Sequence, residues 1–345
     1  MAMIFKMAHE NTTIVDYDSS TNDYYDVTPY PTTTVDSSAV KMAQTLRVVY
    51  IVTYSTDFIL GVILNFTVIV VGLQKSKLSN KTADWILALA VTHLASCISV
   101  AFQLLYVYND FAWKYGSVSC KMASYLTYGS MFSSAAMLNL WSLHSILLKS
   151  SCIKQYRNCH VTLIAFSWTV AAILACPSLV SREVRDHRCI DDYYFNKEGK
   201  SREGKVPMKA VVGMRLLLGL LVPALVMFIS FLMGPFKKRC PSCMKKKQIL
   251  RLFQIVYFVC WGPLILLSML QITEFNRNGS NMATYWLPFA TMLATSHCFI
   301  SPLFFLLLGC RGDNKMKWMT HDPDQNHRGA DSLPGDDLEQ LHVAA

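Results

Sequence analysis

The sequence predicts an all-α membrane protein, a bundle of seven transmembrane helices. Seven separate stretches of the 345-residue chain are long and apolar, and a helix needs about 20 mostly apolar residues to cross the hydrocarbon core of a bilayer. The chain is 52% hydrophobic and only 16% charged, which is typical of one polytopic domain. The short links between the stretches are basic on alternate sides only, as expected when alternate links face the cytosol.

The seven apolar stretches are numbered in chain order as spans one to seven. They occupy residues 46–73, 83–107, 117–148, 161–180, 206–236, 249–272 and 283–308. Each is expected to be helical, because a helix pairs its backbone groups internally in lipid. The predicted division of the chain is a disordered extracellular tail (1–45), a seven-helix transmembrane domain (46–310) and a cytoplasmic tail (311–345).

The basic links set the predicted orientation. Links 74–82, 149–160 and 237–247 follow spans one, three and five, and they contain Lys and Arg but no acid. Because short loops rich in Lys and Arg stay in the cytosol, the amino terminus is expected outside the plasma membrane and the carboxyl terminus inside. The net charge of +9 then reflects topology and not nucleic-acid binding.

The segments expected outside the cell carry candidate modification sites. Asn11 and Asn278 begin Asn-X-Ser/Thr sequons for glycosylation. Of 11 cysteines, only Cys120 and Cys189 fall in predicted extracellular positions, and an oxidising compartment favours their pairing. Their disulfide is expected to hold the loop after span four across the bundle as a lid.

Four ionisable residues lie inside the predicted spans, where such groups are costly and usually functional. Arg215 in span five either snorkels to the outer interface or points into an outward-facing cavity, where its guanidinium suits a carboxylate. His93 and His297 lie at similar depth in spans two and seven; they are either neutral packing residues or a pH-sensitive pair. Asp57 in span one has no cation at its level, so it is expected to be protonated or near the interface.

Short motifs make the chain resemble the rhodopsin-like G-protein-coupled receptors. Cys260, Trp261, Gly262 and Pro263 are similar to the CWxP element of span six in that family. Single residues typical of the family are Asn65 in span one, Trp168 in span four and Pro223 in span five. Within the family, the chain is most similar to the formyl-peptide, chemerin and anaphylatoxin receptors, through residues 87–91 (LALAV), 113–116 (WKYG) and 176–180 (CPSLV).

The resemblance implies a cell-surface receptor that binds a peptide or small-protein ligand in an outward-facing cavity and signals through heterotrimeric G proteins. Arg215 stands eight residues before Pro223, where these receptors place the arginine that holds a peptide carboxylate. The implied ligand-binding residues are Arg215, Tyr128, Trp261, Thr127, Met131, Gln103 and Thr291. The acidic tail resembles sulfated tails that capture basic ligands, and its candidate tyrosines are Tyr17, Tyr24 and Tyr25.

The signalling positions depart from the family's pattern. Where the family has Asp-Arg-Tyr in span three, this chain has His144, Ser145 and Ile146. Where the family has NPxxY in span seven, the matching residues include Ser301, Pro302 and Phe305. The positions of the family's sodium-binding cluster are occupied by His93, Ser134 and His297. The arginine that meets the G protein is absent at Ser145. Two imidazoles cannot replace the carboxylate of a sodium site, so sodium is not expected to stabilise an inactive state.

Two functions therefore remain open on the sequence. One is a signalling receptor; the other is a non-signalling decoy or scavenger, whose ligand-binding half is intact while its coupling half is lost. The sequence does not favour uptake driven by arrestin, because the only residues of segment 311–345 that can be phosphorylated on a serine or threonine hydroxyl are Thr320 and Ser332. No retinal lysine, inverted repeat, metal cluster or nucleophile with its base is evident, so a pump, a transporter, an enzyme, a cofactor and a bound metal are not expected.

Overall fold

A computed structural model describes residues 37–75, 81–147, 159–191, 208–233, 241–275 and 282–310. Its helices are α1 Ser37–Lys75, α2 Lys81–Tyr108, α3 Gly116–Leu147, α4 His160–Ala175, α5 Pro177–Ser181, α6 Met208–Leu216, α7 Val222–Leu232, α8 Pro241–Phe275 and α9 Met282–Cys310. Helices α1, α2, α3, α8 and α9 are spans one, two, three, six and seven. Span four consists of α4 and α5, and span five of α6, a π-helical segment and α7. The prediction of a seven-helix bundle is confirmed.

The start of span one differs from the prediction. Helix α1 begins at Ser37, so residues 37–45 are helical and not part of the tail. The helix is held at this end by Arg47, which pairs with Asp110 at 2.7 Å and donates a hydrogen bond to the carbonyl of Tyr108 at 2.8 Å. These contacts to the end of span two come from tertiary structure, which the local sequence does not reveal.

Span three also differs, in its composition. Six helices of the described residues are long and apolar enough to cross a membrane, and α3 is not among them. It contacts spans two, four, five and six and the strand β1, so much of its surface faces protein. Its buried residues include Ser124, Ser130, Ser133, Ser134 and Ser142. A helix surrounded by other helices can carry polar groups that a lipid-facing helix cannot.

A β-hairpin follows span four. Strands β1 (Arg182–Arg185) and β2 (Arg188–Asp191) pair antiparallel, with Val184 opposite Cys189. The two turn residues, Asp186 and His187, both have positive φ (46° and 55°), as a two-residue turn needs to match the twist of the strands.

Span five is interrupted by five π-helical residues, Leu217–Leu221, directly before Pro223. Proline has no N–H, so the carbonyl of Gly219, four residues earlier, cannot receive its usual helical bond. The hydroxyl of Tyr257 in span six donates to that carbonyl at 2.7 Å. The irregular segment therefore joins spans five and six in the core.

Several predictions fall on residues that the structure does not describe. These are the sequons at Asn11 and Asn278, the tyrosines Tyr17, Tyr24 and Tyr25, the acceptors Thr320 and Ser332, and most of the two tails. They stay predictions.

Candidate ligand site

The bundle has two ends that differ in chemistry. The disulfide end contains Cys120, Cys189 and the hairpin Arg182–Asp191. The His144 end lies at the other end of span three and contains His144, Asp84 and His160. The candidate ligand site lies in the half of the bundle nearer the disulfide end.

Arg215 is the charged residue at this site. Its side chain belongs to the last turn of α6, and the residue is only 6% exposed. The guanidinium carbon lies 3.5 Å from the centroid of the Tyr128 ring, so the flat group stacks on the phenol. The structure thus places Arg215 inside the bundle and not at the interface with lipid headgroups.

No anion neutralises Arg215 within the described part of the chain. The ion pairs described there join Arg47 to Asp110 and Arg185 to Glu183, and the carboxylate of Asp84 contacts the imidazole of His160. The Nη2 of Arg215 is buried without a hydrogen-bond partner among these residues. A desolvated cation–π contact contributes about 2 kcal/mol, whereas an unpaired buried ion costs several kcal/mol. The stack on Tyr128 therefore offsets only part of the cost.

Two further implied ligand-binding residues, Met131 and Trp261, belong to the core against which Tyr128 packs. Met131 is fully buried, and its Sδ and Cε atoms fill the space where a side chain at Gly219 would stand. Trp261 is 2% exposed and belongs with Met131 to the large central core, against which Tyr128 packs. The indole Nε1 of Trp261 is buried with no partner in the described residues.

The remaining implied residues are half-buried. The hydroxyl of Thr127 donates to the carbonyl of Ala123 at 2.8 Å, and that of Thr291 to the carbonyl of Leu287 at 2.9 Å. Gln103 lies on span two. No contact described for these three residues joins them to Arg215, so the structure groups Arg215, Tyr128, Met131 and Trp261 but not the full implied set.

The hairpin is fastened to span three and to the loop before it. Cys120 and Cys189 form a disulfide with their Cα atoms 5.7 Å apart, which confirms the predicted pairing. The backbone N–H of Trp113 donates to the carbonyl of His187 at 2.6 Å, and the indole of Trp113 donates to the carbonyl of Gly116 at 2.9 Å. The hairpin therefore has two separate attachments at the disulfide end.

Comparisons with known proteins agree with this arrangement. The family "7 transmembrane receptor (rhodopsin family)" matches residues 64–305. The chain belongs to this rhodopsin family of seven-transmembrane receptors.

Relatives of this receptor include chemoattractant receptors. It is 28% identical to the C3a anaphylatoxin chemotactic receptor of Oncorhynchus mykiss, over 77% of this chain and 75% of the relative. It is 26% identical to chemerin-like receptor 1 of Homo sapiens, over 77% and 76% of the two chains. It is also 26% identical to C-C chemokine receptor type 1 of Homo sapiens, over 91% and 89%.

Two imidazoles, those of His93 and His297, are in contact inside the bundle. The rings of His93 and His297 meet edge-on with centroids 4.9 Å apart. His93 Nε2 and the hydroxyl of Ser134 are buried without a partner among the described residues. Asn65 donates to the carbonyl of Cys298 at 2.7 Å and so connects spans one and seven beside this pair.

The residues at the span-three motif positions, His144, Ser145 and Ile146, make contacts within the bundle. The hydroxyl of Ser145 donates to the carbonyl of Trp141 in its own helix at 2.7 Å. The His144 ring lies near Trp85 and His160, with centroids 6.4 and 6.5 Å away. Ile146 is half-buried.

The span-seven motif positions are buried as well. Ser301 is 1% exposed and Phe305 2% exposed, and Pro302 lies between them within α9. The Ser301 hydroxyl has no partner among the described residues.

Sequence reasoning missed the partners of three polar residues. Asp57 is buried and not near an interface; its carboxyl oxygens lie 2.7 and 2.9 Å from the hydroxyls of Thr295 and Ser296 of span seven. The consecutive hydroxyls at 295–296 were the available signal. The Asp84–His160 contact at 2.7 Å had no comparable signal in the sequence.

Proposed function

We propose that this receptor binds a peptide or small-protein chemoattractant through an anionic group, which pairs with Arg215 in a cavity open at the disulfide end. The proposal further places the disulfide end outside the plasma membrane and the His144 end in the cytosol, where a heterotrimeric G protein binds.

One observation carries this proposal: Arg215 is buried on the ring of Tyr128 with no anion beside it in the described part of the chain. A guanidinium in this setting needs an anion, and its fork of N–H groups matches a carboxylate in two parallel hydrogen bonds. Tyr128 covers one face of the group, so the anion would approach along its edge, where Nη2 has no partner among these residues.

The chemistry of the relatives supports a peptide or protein ligand. The names of the relatives refer to C3a, chemerin and C-C chemokines. A carboxyl terminus is the anionic group that every unmodified peptide possesses, which makes it the simplest partner for a single buried arginine.

The test is a binding screen with C3a, chemerin and synthetic peptides that end in a free carboxylate, each peptide paired with its carboxyl-terminal amide. Breaking a buried charge pair costs about 2–5 kcal/mol, so Arg215→Gln should weaken binding of an acid-ended peptide by about 30-fold or more. The amide should bind the wild type weakly and should bind Arg215→Gln equally weakly. Lys209→Gln removes a positive charge from an exposed position of the same helix and serves as the control. If the wild type and Arg215→Gln bind acid-ended peptides with equal affinity, Arg215 does not bind the peptide carboxylate.

A decoy receptor is the second candidate, because Ser145 stands where the family's arginine meets the G protein and its hydroxyl is bonded within span three. Nucleotide exchange on purified G proteins, measured with a peptide found in the binding screen, separates the two functions. Exchange stimulated by the peptide supports signalling. Saturable binding without any exchange, on all G-protein classes, supports the decoy.

A further inference from the structure

A carboxyl group lies near the middle of span one. Asp57 is close to the centre of helix α1 and is 1% exposed. A carboxylate at membrane depth normally has a cation or a chain of polar partners, and it usually marks a functional site.

The partners of Asp57 are two neighbouring hydroxyls of span seven. Thr295 Oγ1 lies 2.7 Å from Oδ2, and Ser296 Oγ lies 2.9 Å from Oδ1. Both hydroxyls also reach the carbonyl oxygen of Met292, at 2.8 and 3.0 Å. Five oxygen atoms therefore make four short contacts.

Counting protons distinguishes the two states of this cluster. Each hydroxyl has one proton to donate, and an ionised carboxylate has none. With Asp57 ionised, two protons serve the four contacts. With Asp57 protonated, three contacts are filled: Asp57 donates to Thr295, Thr295 donates to the carbonyl of Met292, and Ser296 donates to the second carboxyl oxygen.

The charges nearby also favour the neutral acid. The titratable groups that face Asp57 are Tyr54 on its own helix, Cys260 on span six and Cys298 on span seven, with Cys97 of span two beside Cys298. None of these can be a cation.

The one histidine next to this cluster in sequence has other contacts. His297 follows Ser296, and its ring contacts His93, Tyr257 and Trp261. An ionised Asp57 would thus be a buried charge with two hydroxyl donors and no cation among the described residues, which costs several kcal/mol.

We propose that Asp57 binds a proton in this arrangement of spans one and seven, which couples the helix arrangement to pH. If span seven moves away from span one, the carboxyl group loses its hydroxyl partners and meets water, where an aspartic acid is ionised at pH 7. The described arrangement binds one proton more than the separated one, so linkage favours it at low pH and weakens it as pH rises.

Infrared spectroscopy of the full-length receptor in lipid nanodiscs tests the protonation directly. The difference spectrum between wild type and Asp57→Asn at neutral pH should show the C=O stretch of a protonated carboxylic acid in the wild type only. A difference spectrum with carboxylate bands instead would overturn the proposal. Should Asp57→Asn fail to fold, Thr295→Val keeps the acid but removes a partner; its acid band should shift in frequency, and an unshifted band would contradict the described contact.

The coupling is tested by thermal unfolding at a series of pH values. The midpoint of the wild type should fall as pH rises, and Asp57→Asn should lack this component, whereas the control His297→Gln should retain it. The same pH dependence in Asp57→Asn would show that other groups cause it. A comparison of sodium chloride with choline chloride at equal ionic strength adds a third result. If sodium raises the unfolding midpoint of the wild type but not that of Asp57→Asn, the cluster binds a metal cation and the proposal that Asp57 binds a proton is wrong.

Discussion

The disulfide end and the His144 end of this receptor differ in how they use polar residues. At the disulfide end, Arg215 is buried with no anion among the described residues, and the hairpin is attached by the Cys120–Cys189 bond. At the His144 end, Ser145 donates to a carbonyl of its own helix, and Asp84 contacts His160. The charged group at one end has no anion beside it among these residues, whereas the polar groups named at the other end make internal contacts.

Aromatic rings also pack together at the His144 end. The Trp85 and Trp141 rings stack with centroids 6.3 Å apart and an interplanar angle of 3°, and Phe253 of span six adds a third ring, 6.4 Å from Trp141. The His144 end should therefore contribute to the stability of the bundle.

The largest effect is expected from the disulfide. Cys120→Ser opens a loop of sequence separation 69, and the chain-entropy estimate for a loop of this size is about 4 kcal/mol of unfolding free energy. Thermal unfolding of the purified receptor, with and without reductant, measures the loss. Cys176→Ser, which changes an exposed free thiol, should have no effect. If Cys120→Ser unfolds at the wild-type temperature, the disulfide does not contribute to the unfolding free energy.

The second effect tests whether the His144 end is stabilised by its aromatic stack. Trp141→Ala removes a ring that is 5% exposed and should lower the unfolding free energy by about 3 kcal/mol. Trp286→Ala, at a position that is 46% exposed, provides the matched control and should lose much less. Equal losses in the two variants would mean that the stack has no special role. Chemical denaturation followed by tryptophan fluorescence of the remaining rings gives the comparison.

A smaller effect is expected where spans three and six meet at the His144 end. Gln254 donates to the hydroxyl of Ser142 at 3.3 Å, with both residues buried. A double-mutant cycle with Gln254→Leu and Ser142→Ala should give a coupling energy of about 1 kcal/mol. Either single variant should also raise ligand-free nucleotide exchange on a G protein, because span six is then less tightly held. A coupling energy near zero would show that this hydrogen bond does not stabilise the contact between spans three and six.

The smallest effect is expected from Asp84 and His160. The Asp84 side chain is 41% exposed, so solvent screens the pair, and Asp84→Asn should change the unfolding free energy by about 0.5 kcal/mol. His160→Gln should match it, since both variants remove the same contact. A loss as large as that of Trp141→Ala would show that the Asp84–His160 contact stabilises this end as much as the aromatic stack.

Much of the architecture could be predicted from hydropathy and a few motifs. The spans were located to within a few residues at most of their ends because membrane helices must be long and apolar. The disulfide could be predicted because only two cysteines, Cys120 and Cys189, fall in segments expected to face the oxidising compartment. The lengthened start of α1 could not be predicted, because residues 37–45 lack the apolar character of a span. They continue a helix that Arg47 attaches to the end of span two.

The candidate site was only partly predictable. The position of Arg215 eight residues before Pro223 was visible in the sequence, but whether it faced lipid or the interior was not. The choice depends on the rotation of span five about its axis, which is set by packing against Tyr128 and by the π-helical turn before Pro223. Gln103, Thr127 and Thr291 show the reverse case, because the resemblance implied a ligand-binding role, and no described contact joins these residues to Arg215.

By itself, the sequence determined that this chain crosses the membrane as a helical bundle, which way its basic links are expected to face, and which cysteines are joined. These properties follow from lipid solvation, loop charge and redox compartment, each of which acts on segments independently of their neighbours. Only the tertiary structure decided that Arg215 is buried without an anion among the described residues, that His93 touches His297, and that Asp57 meets two hydroxyls of span seven. Such pairings join residues that are distant in the chain, and they depend on how each helix is rotated when seven of them pack together.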